Sequence, residues 1–149
     1  MSASPNGLAS DGGGNLYIGY AFSSQIDIAR TNGSVFGGSG NDTIFGSAGD
    51  DYVRGGAGND SIFGGAGADT FVFGLADGDD RVFSSVTQDR LRLDDALWAG
   101  NLTEAQVLSN FGSVSGSNYV LEFDQGDSII LERAGSASQA ELLGFIEIF

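Results

Sequence analysis

The chain has 149 residues, with 20 acidic side chains against six arginines, no Lys, His or Cys, and a formal net charge of −14. That balance excludes nucleic-acid binding, which rests on cationic contacts to phosphate, and the GxxxxGK phosphate loop, which needs a lysine. Without His or Cys there is no Ser-His-Asp triad, no thiolate nucleophile and no zinc, copper or iron site of the nitrogen or sulfur kind, and the length suits one domain or a small β-solenoid with a cap.

The opening stretch, MSASPNGLASDGGGN, lacks the positive and apolar regions of a cleavable signal, and no apolar run approaches the ~20 residues of a membrane helix. An exported protein would need another address. Asn15 to Phe22 and Gln25 to Arg30 suggest two strands joined at Ser23-Ser24. They either cover the coil that follows or are the remnant of a preceding domain. Thr31 to Phe36 keeps a short strand but has no aspartate in register, so it reads as a capping half-turn.

From Gly37 to Val72 the chain reads GGSGNDTIF, GSAGDDYVR, GGAGNDSIF, GGAGADTFV, four nonapeptides in unbroken phase. Glycine holds places one and four, aspartate holds place six, and place eight is apolar in every copy (Ile44, Val53, Ile62, Phe71). Ser47 alone breaks the glycine pair. Each unit thus couples a glycine-rich, carboxylate-bearing turn to a strand too short to bury its face without neighbours, the signature of a stacked solenoid.

With two nonapeptides per coil, Asp42 lies beside Asp60 on one edge and Asp51 beside Asp69 on the other. At the usual strand spacing of ~4.8 Å and an effective dielectric of about 20, each like-charge pair would cost roughly 3 kcal/mol. A hard divalent cation removes that conflict. Calcium accepts six to eight oxygens in flexible geometry, whereas magnesium dehydrates reluctantly and wants strict octahedra.

The pattern GGxGxDxUx, with U a large apolar residue, resembles that of the RTX proteins, secreted bacterial calcium binders with a parallel β-roll. The resemblance implies that the place-six aspartates and the carbonyls of the glycine turns hold each ion between turns two units apart. Carried over, this assigns Asp42 with Asp60, Asp51 with Asp69, and the turn glycines Gly37, Gly38, Gly40, Gly46, Gly49, Gly55, Gly56, Gly58, Gly64, Gly65 and Gly67 to at least two calcium ions. The expected fold is all-β: a right-handed parallel β-roll over residues 37–82, with β-rich caps at 1–36 and 83–149 and one or two short helices in the second cap.

After the fourth unit the phase slips by one residue at Phe73. Gly74 to Val82 reads as a degenerate fifth unit with Asp79 at place six, and Asp77, Asp79 or Asp80 is expected to complete a further ion site. The stretch is not an EF-hand loop, because its glycine falls at the second place and no glutamate follows at the twelfth. Asp50, a second acid at place five of one copy, reads as a solvated charge. At the outward place nine, Phe45 and Phe63 should stack on one face while Arg54 lies near Phe36 and Val72 on the other. Exposed aromatics need covering, by flanking chain or by a sugar or partner surface.

Further on, Asp89 to Asp94 alternates like a strand, and Thr103-Glu104-Ala105-Gln106 is a capping box opening a short helix towards Phe111. Tyr119 to Asp124 and Ser128 to Glu132 form a hairpin across Gln125-Gly126-Asp127, and Ser138 to Glu141 repeats the capping box. Trp98, Leu102, Val107, Leu108 and Phe111 supply the core of this cap. The tail Phe145-Ile146-Glu147-Ile148-Phe149 resembles the acidic-then-hydrophobic ending of secreted RTX proteases, and reads equally as a final strand.

The resemblance implies a secreted, non-catalytic calcium module that leaves the cell through an ABC-type (type I) secretion machinery, resembling the C-terminal modules of alkaline metalloproteases or mannuronan epimerases. A catalytic domain upstream is the implied partner. The alternative is a stand-alone extracellular protein that binds polysaccharide through the Phe45 and Phe63 face.

Overall fold

The computed structural model describes three N-terminal strands, β1 (Gly7–Ser10), β2 (Leu16–Gly19) and β3 (Gln25–Asp27), and then all of residues 33–149. The expected N-terminal junction at Ser23-Ser24, and Thr31 with Asn32, lie outside the described residues. Strands β1 and β2 pair antiparallel, while β3 joins the roll in parallel register, Ile26 opposite Ile44.

Side chains alternate across a strand, so place eight faces inward while places seven and nine face out. The repeats supply β4 (Ser34–Ser39), β5 (Thr43–Phe45), β6 (Tyr52–Ala57), β7 (Ser61–Phe63) and β8 (Thr70–Phe73). These alternate between two parallel sheets. Val35, Val53 and Phe71 are in register in one, and Ile44 and Ile62 in the other. All five are 4% exposed or less, which none of these strands could achieve alone. Replacing Ile62 by alanine should therefore cost about 3 kcal/mol, read as a lowered denaturation midpoint in excess calcium. A loss below about 1 kcal/mol would mean that the stacked neighbours close over the gap.

Both sheets run on past the last repeat. Strand β9 (Asp79–Phe83) adds to β7 with Val82 opposite Ile62, and β10 (Arg90–Leu93) adds to β8 with Leu91 opposite Phe71. This third coil is twenty residues on from the second instead of eighteen. The two extra residues shift the phase. Val82, and not Arg81, faces the core, so the reading of Gly74 to Val82 with Asp79 at place six is corrected to Asp80 at that place.

A short 3₁₀ turn at Asp95–Leu97 leads to helix α1 (Glu104–Phe111). Helix α2 (Gln139–Phe145) follows later, and both expected capping boxes form, Thr103 with Gln106 and Ser138 with Glu141. Strands β12 (Asn118–Glu122) and β13 (Ser128–Leu131) make the expected hairpin, and β13 continues in parallel onto β9. The tail strand β14 (Ile146–Ile148) lies parallel on β10. Trp98, Val107, Leu108, Phe123, Leu142 and Phe145 form the core between helices and sheets, with Leu102 and Phe111 packed against it. Strand β11 (Gly112–Ser115), antiparallel to β12, was not expected. Its residues are mostly exposed, so no apolar alternation announces it.

Among the described residues no helix is long and apolar enough to cross a membrane.

Candidate metal centre

Register builds the site. Asp42, Asp60 and Asp80 stand above one another along one edge of the roll, and Asp51, Asp69 and Asp89 along the other. In each stack the backbone N–H of one aspartate donates to Oδ1 of the next: Asp42 to Asp60 at 2.7 Å, Asp60 to Asp80 at 2.8 Å, Asp51 to Asp69 and Asp69 to Asp89 at 3.0 Å. Carboxylate is thus stacked on carboxylate, as the period of eighteen demands, and the stack continues for one coil beyond the repeats.

The second carboxylate oxygen tells more. Oδ2 of Asp42, Asp60 and Asp69 is buried with no hydrogen-bond partner. A Cβ placed on Gly37 would lie 2.7 Å from Asp42 Oδ2 and would collide with the carbonyl oxygen of Gly55 on the next coil. On Gly55 or Gly64 it would overlap the carboxylate of Asp60 or Asp69. The first glycine of each repeat therefore keeps open a space that a carboxylate oxygen borders, and at Gly37 and Gly46 a carbonyl of the next coil borders it too. A buried acceptor left unpaired costs about 1–3 kcal/mol, and more when charged, which a cation would remove.

The donor set fits calcium. Among the described residues no three acidic side chains converge on one point. A cation here must take most of its ligands from backbone carbonyls, the mixed oxygen shell that calcium tolerates. Glycine at places two and four turns the chain so that those carbonyls can approach: Gly38, Gly40, Gly56, Gly58, Gly65 and Gly67 all have φ between 100° and 135°.

The second turn departs from the others. Ser47 occupies place two, and its N–H and hydroxyl donate to Asp51 Oδ2 at 2.7 and 2.9 Å. That carboxylate is satisfied within its own turn, and the hydroxyl places one more oxygen beside the cradle of Gly46, where a Cβ would lie 3.0 Å from Asp51 Oδ2.

Burial and like charge together oppose ionisation of the stack. Burial pushes the Asp80 carboxyl up to about 8, with Asp60, Asp77 and Asp127 adding repulsion, although the hydrogen bond from Asp60 N–H works against the rise. Burial likewise lifts Asp60 to about 6, opposed by the N–H of Asp42 and assisted by the charges of Asp42 and Asp77. It lifts Asp69 to about 6 for the same reasons, its charged neighbours being Asp89, Asp51 and Asp50. Asp42 is also raised by burial.

The other acidic residues fall into different places. Asp77 is buried and already engaged, accepting from Gly74 N–H at 2.6 Å and pairing with Arg54 at 3.3 Å. Asp79 sits at place five on the rim, its own N–H bonded to Asn59 Oδ1 and its carboxylate to the Ser128 hydroxyl. Asp50 is exposed and accepts from Ala68 N–H at 2.8 Å. Asp89, which joins the second stack, and Asp127 are not among the site residues singled out from the sequence. Asp127 is buried and accepts from the N–H groups of Ala76 and Gly78, bracing the third-coil turn. The signal for Asp80 and Asp89 was present as Asp-x-apolar, since Asp80-Arg81-Val82 and Asp89-Arg90-Leu91 repeat Asp60-Ser61-Ile62, with a place-four glycine, Gly78, before Asp80 and none in the turn before Asp89.

Phe45 stacks on Phe63 as expected, with ring centroids 4.8 Å apart and planes within 11°, and Phe83 from the third coil stacks on Phe63 at 4.1 Å and 9°. On the other sheet Arg54 lies opposite Phe36.

Glycine cradles, stacked buried carboxylates and two short-stranded parallel sheets define a metal-binding β-roll. Residues 36–74 match the family model of the RTX calcium-binding nonapeptide repeat, in four copies. No curated protein sequence matches the chain. Among solved structures, the extracellular lipase LipA of Serratia marcescens shares the fold, with a TM-score of 0.64 at 22% identity over 83% of this chain. The chain spans only 20% of that lipase's length. The AlgE6R3 subunit of the Azotobacter vinelandii mannuronan C5-epimerase is similar over 85% of this chain and 81% of its own, with 27% identity and a TM-score of 0.61.

Proposed function

We propose that this chain is a non-catalytic calcium-binding module that folds on meeting calcium outside the cell and supports type I secretion, folding and stability of a larger secreted protein. The observation that carries the reading is the set of buried, unpartnered oxygens on Asp42, Asp60 and Asp69, held in glycine cradles. When bound, calcium supplies positive charge and an oxygen-coordinating centre between stacked turns. In a calcium-poor cytosol the aspartate stack repels itself and the glycine-rich turns carry a large ordering entropy, which keeps the chain threadable. Outside, an ion met at about ten times its dissociation constant stabilises the folded form by roughly 1.4 kcal/mol per site.

A module of a larger protein agrees with the likeness to part of an extracellular lipase and to one subunit of an epimerase. Binding of polysaccharide through Phe45 and Phe63 has weaker physical support. Phe63 is covered on both sides, by Phe45 and by Phe83, whereas stacking against a sugar needs an open face, which leaves Phe45 alone to offer one.

The reading predicts that far-ultraviolet circular dichroism of the chelated chain gains β-signal cooperatively as calcium is added, while magnesium at equal concentration has little effect. A spectrum already fully folded in chelator would remove the folding switch.

A further inference from the structure

We propose that the metal ladder extends one coil beyond the repeats, with one calcium ion held on each edge between the second and third coils. One lies between Asp60 and the turn that ends at Asp80, the other between Asp69 and the turn that ends at Asp89. This rests on the calcium reading above and adds two sites that the repeat sequence does not contain, since the matched segment stops at residue 74.

Two independent observations meet here. The first is register: the bonds from Asp60 to Asp80 and from Asp69 to Asp89, at 2.8 and 3.0 Å, repeat those between the first and second coils, at 2.7 and 3.0 Å. The third coil therefore presents its aspartates in the same relation as a true repeat, despite the spacing of twenty. The second is the pair of unpartnered oxygens. Asp60 and Asp69 are each 1% exposed, and Oδ2 of each has no hydrogen-bond donor.

Those oxygens belong to the second coil. In the first coil the corresponding oxygen, on Asp42, shares the space over Gly37 with a carbonyl of the coil above it. Asp60 and Asp69 stand in register with Asp80 and Asp89 of the third coil, while the atoms nearest the cradles of Gly55 and Gly64 are those of the second coil itself. Had the roll ended with its fourth repeat, water would solvate them. Here chain from outside the repeats buries them, supplies no donor, and adds its own buried carboxyl groups: Asp77, Asp80 and Asp89. Arg54, paired with Asp77, is the only cation in an ion pair with any of these aspartates among the described residues. A buried carboxyl so placed either keeps its proton or takes a counter-charge, and an oxygen-rich environment of this kind favours a hard divalent cation as that counter-charge.

The test counts ions on the full chain, by calorimetric titration and by metal analysis after gel filtration. The native chain should bind four, two at the first interface and two at the second. Asp80→Asn and Asp89→Asn should each reduce the count to three. A native count of two, unchanged by either substitution, would overturn the inference and leave the calcium reading intact, whereas a count of zero would remove the reading itself. To separate loss of an ion from loss of fold, amide nitrogen–proton spectra of the native chain are followed through the titration. Signals of Gly78, Asp80, Ser85 and Asp89 should keep moving beyond two equivalents of calcium. If they are stationary past that point, the third coil holds no ion.

Discussion

Gly56→Ala should melt markedly below Gly38→Ala in saturating calcium, although the two glycines occupy the same place in their repeats and have nearly the same backbone angle, φ 104° and 110°. An L-residue forced into that region costs about 1–2 kcal/mol at either position. What differs is the coil beneath. Among the described residues a Cβ on Gly38 meets nothing within 4 Å, whereas on Gly56 it would collide with the carbonyl oxygen of Gly38 and lie 3.0 Å from its carbon. The obstacle is backbone, so no side chain can rotate away. Overpacking adds about 1–3 kcal/mol, and for a chain of this size the two variants should separate by roughly 5 °C. Equal melting temperatures would mean that only the backbone angle, and not the approach of one coil to the next, fixes glycine at place two.

That comparison also marks where the sequence was legible. The strict period carried the inward place-eight ladder and the aspartate stacks, because a nine-residue phase leaves one way to bury Ile44, Val53, Ile62 and Phe71 together. Capping boxes at Thr103 and Ser138 were equally plain, since their hydrogen bonds are local. The third coil was harder to see. Two added residues before Asp80 break the phase, and the turn from Ser84 to Asp89 has no glycine, so composition offers no sign of it. Only the long-range pairing of β9 with β7 and of β10 with β8 restores Asp80 and Asp89 to the stack. Likewise, the stacking of Phe83 over Phe63 depends on a register that no local pattern encodes.

Stability of the calcium-free chain should fall as pH rises from about 4 to about 8, the reverse of the usual behaviour of a protein held by salt-bridged carboxylates. The sign follows from the raised carboxyls of Asp42, Asp60, Asp69 and Asp80. In the folded chain they hold their protons more tightly than at the ordinary value of 3.8 in the unfolded one, so their contribution is fully present below that pH and is lost as pH passes about 6 for Asp60 and Asp69 and about 8 for Asp80. Discounted for solvent screening, Asp80 alone accounts for on the order of 2 kcal/mol across this window. Glu141, lowered by its bonds to Ser138, runs the other way but lies on an exposed helix cap, where solvent screens it. Calcium competes with protons for the same oxygens, so the stabilisation it confers should be small near pH 4 and grow through the same interval. Thermal melts in calcium-stripped and calcium-saturated buffer at pH 4.5, 6 and 8 would test this. The two curves should lie close together at pH 4.5 and diverge as pH rises, the stripped one falling. A calcium-free melting temperature that climbs with pH would mean that the aspartate stack is already neutralised within the protein, and the cradles would then have no electrostatic need of a cation.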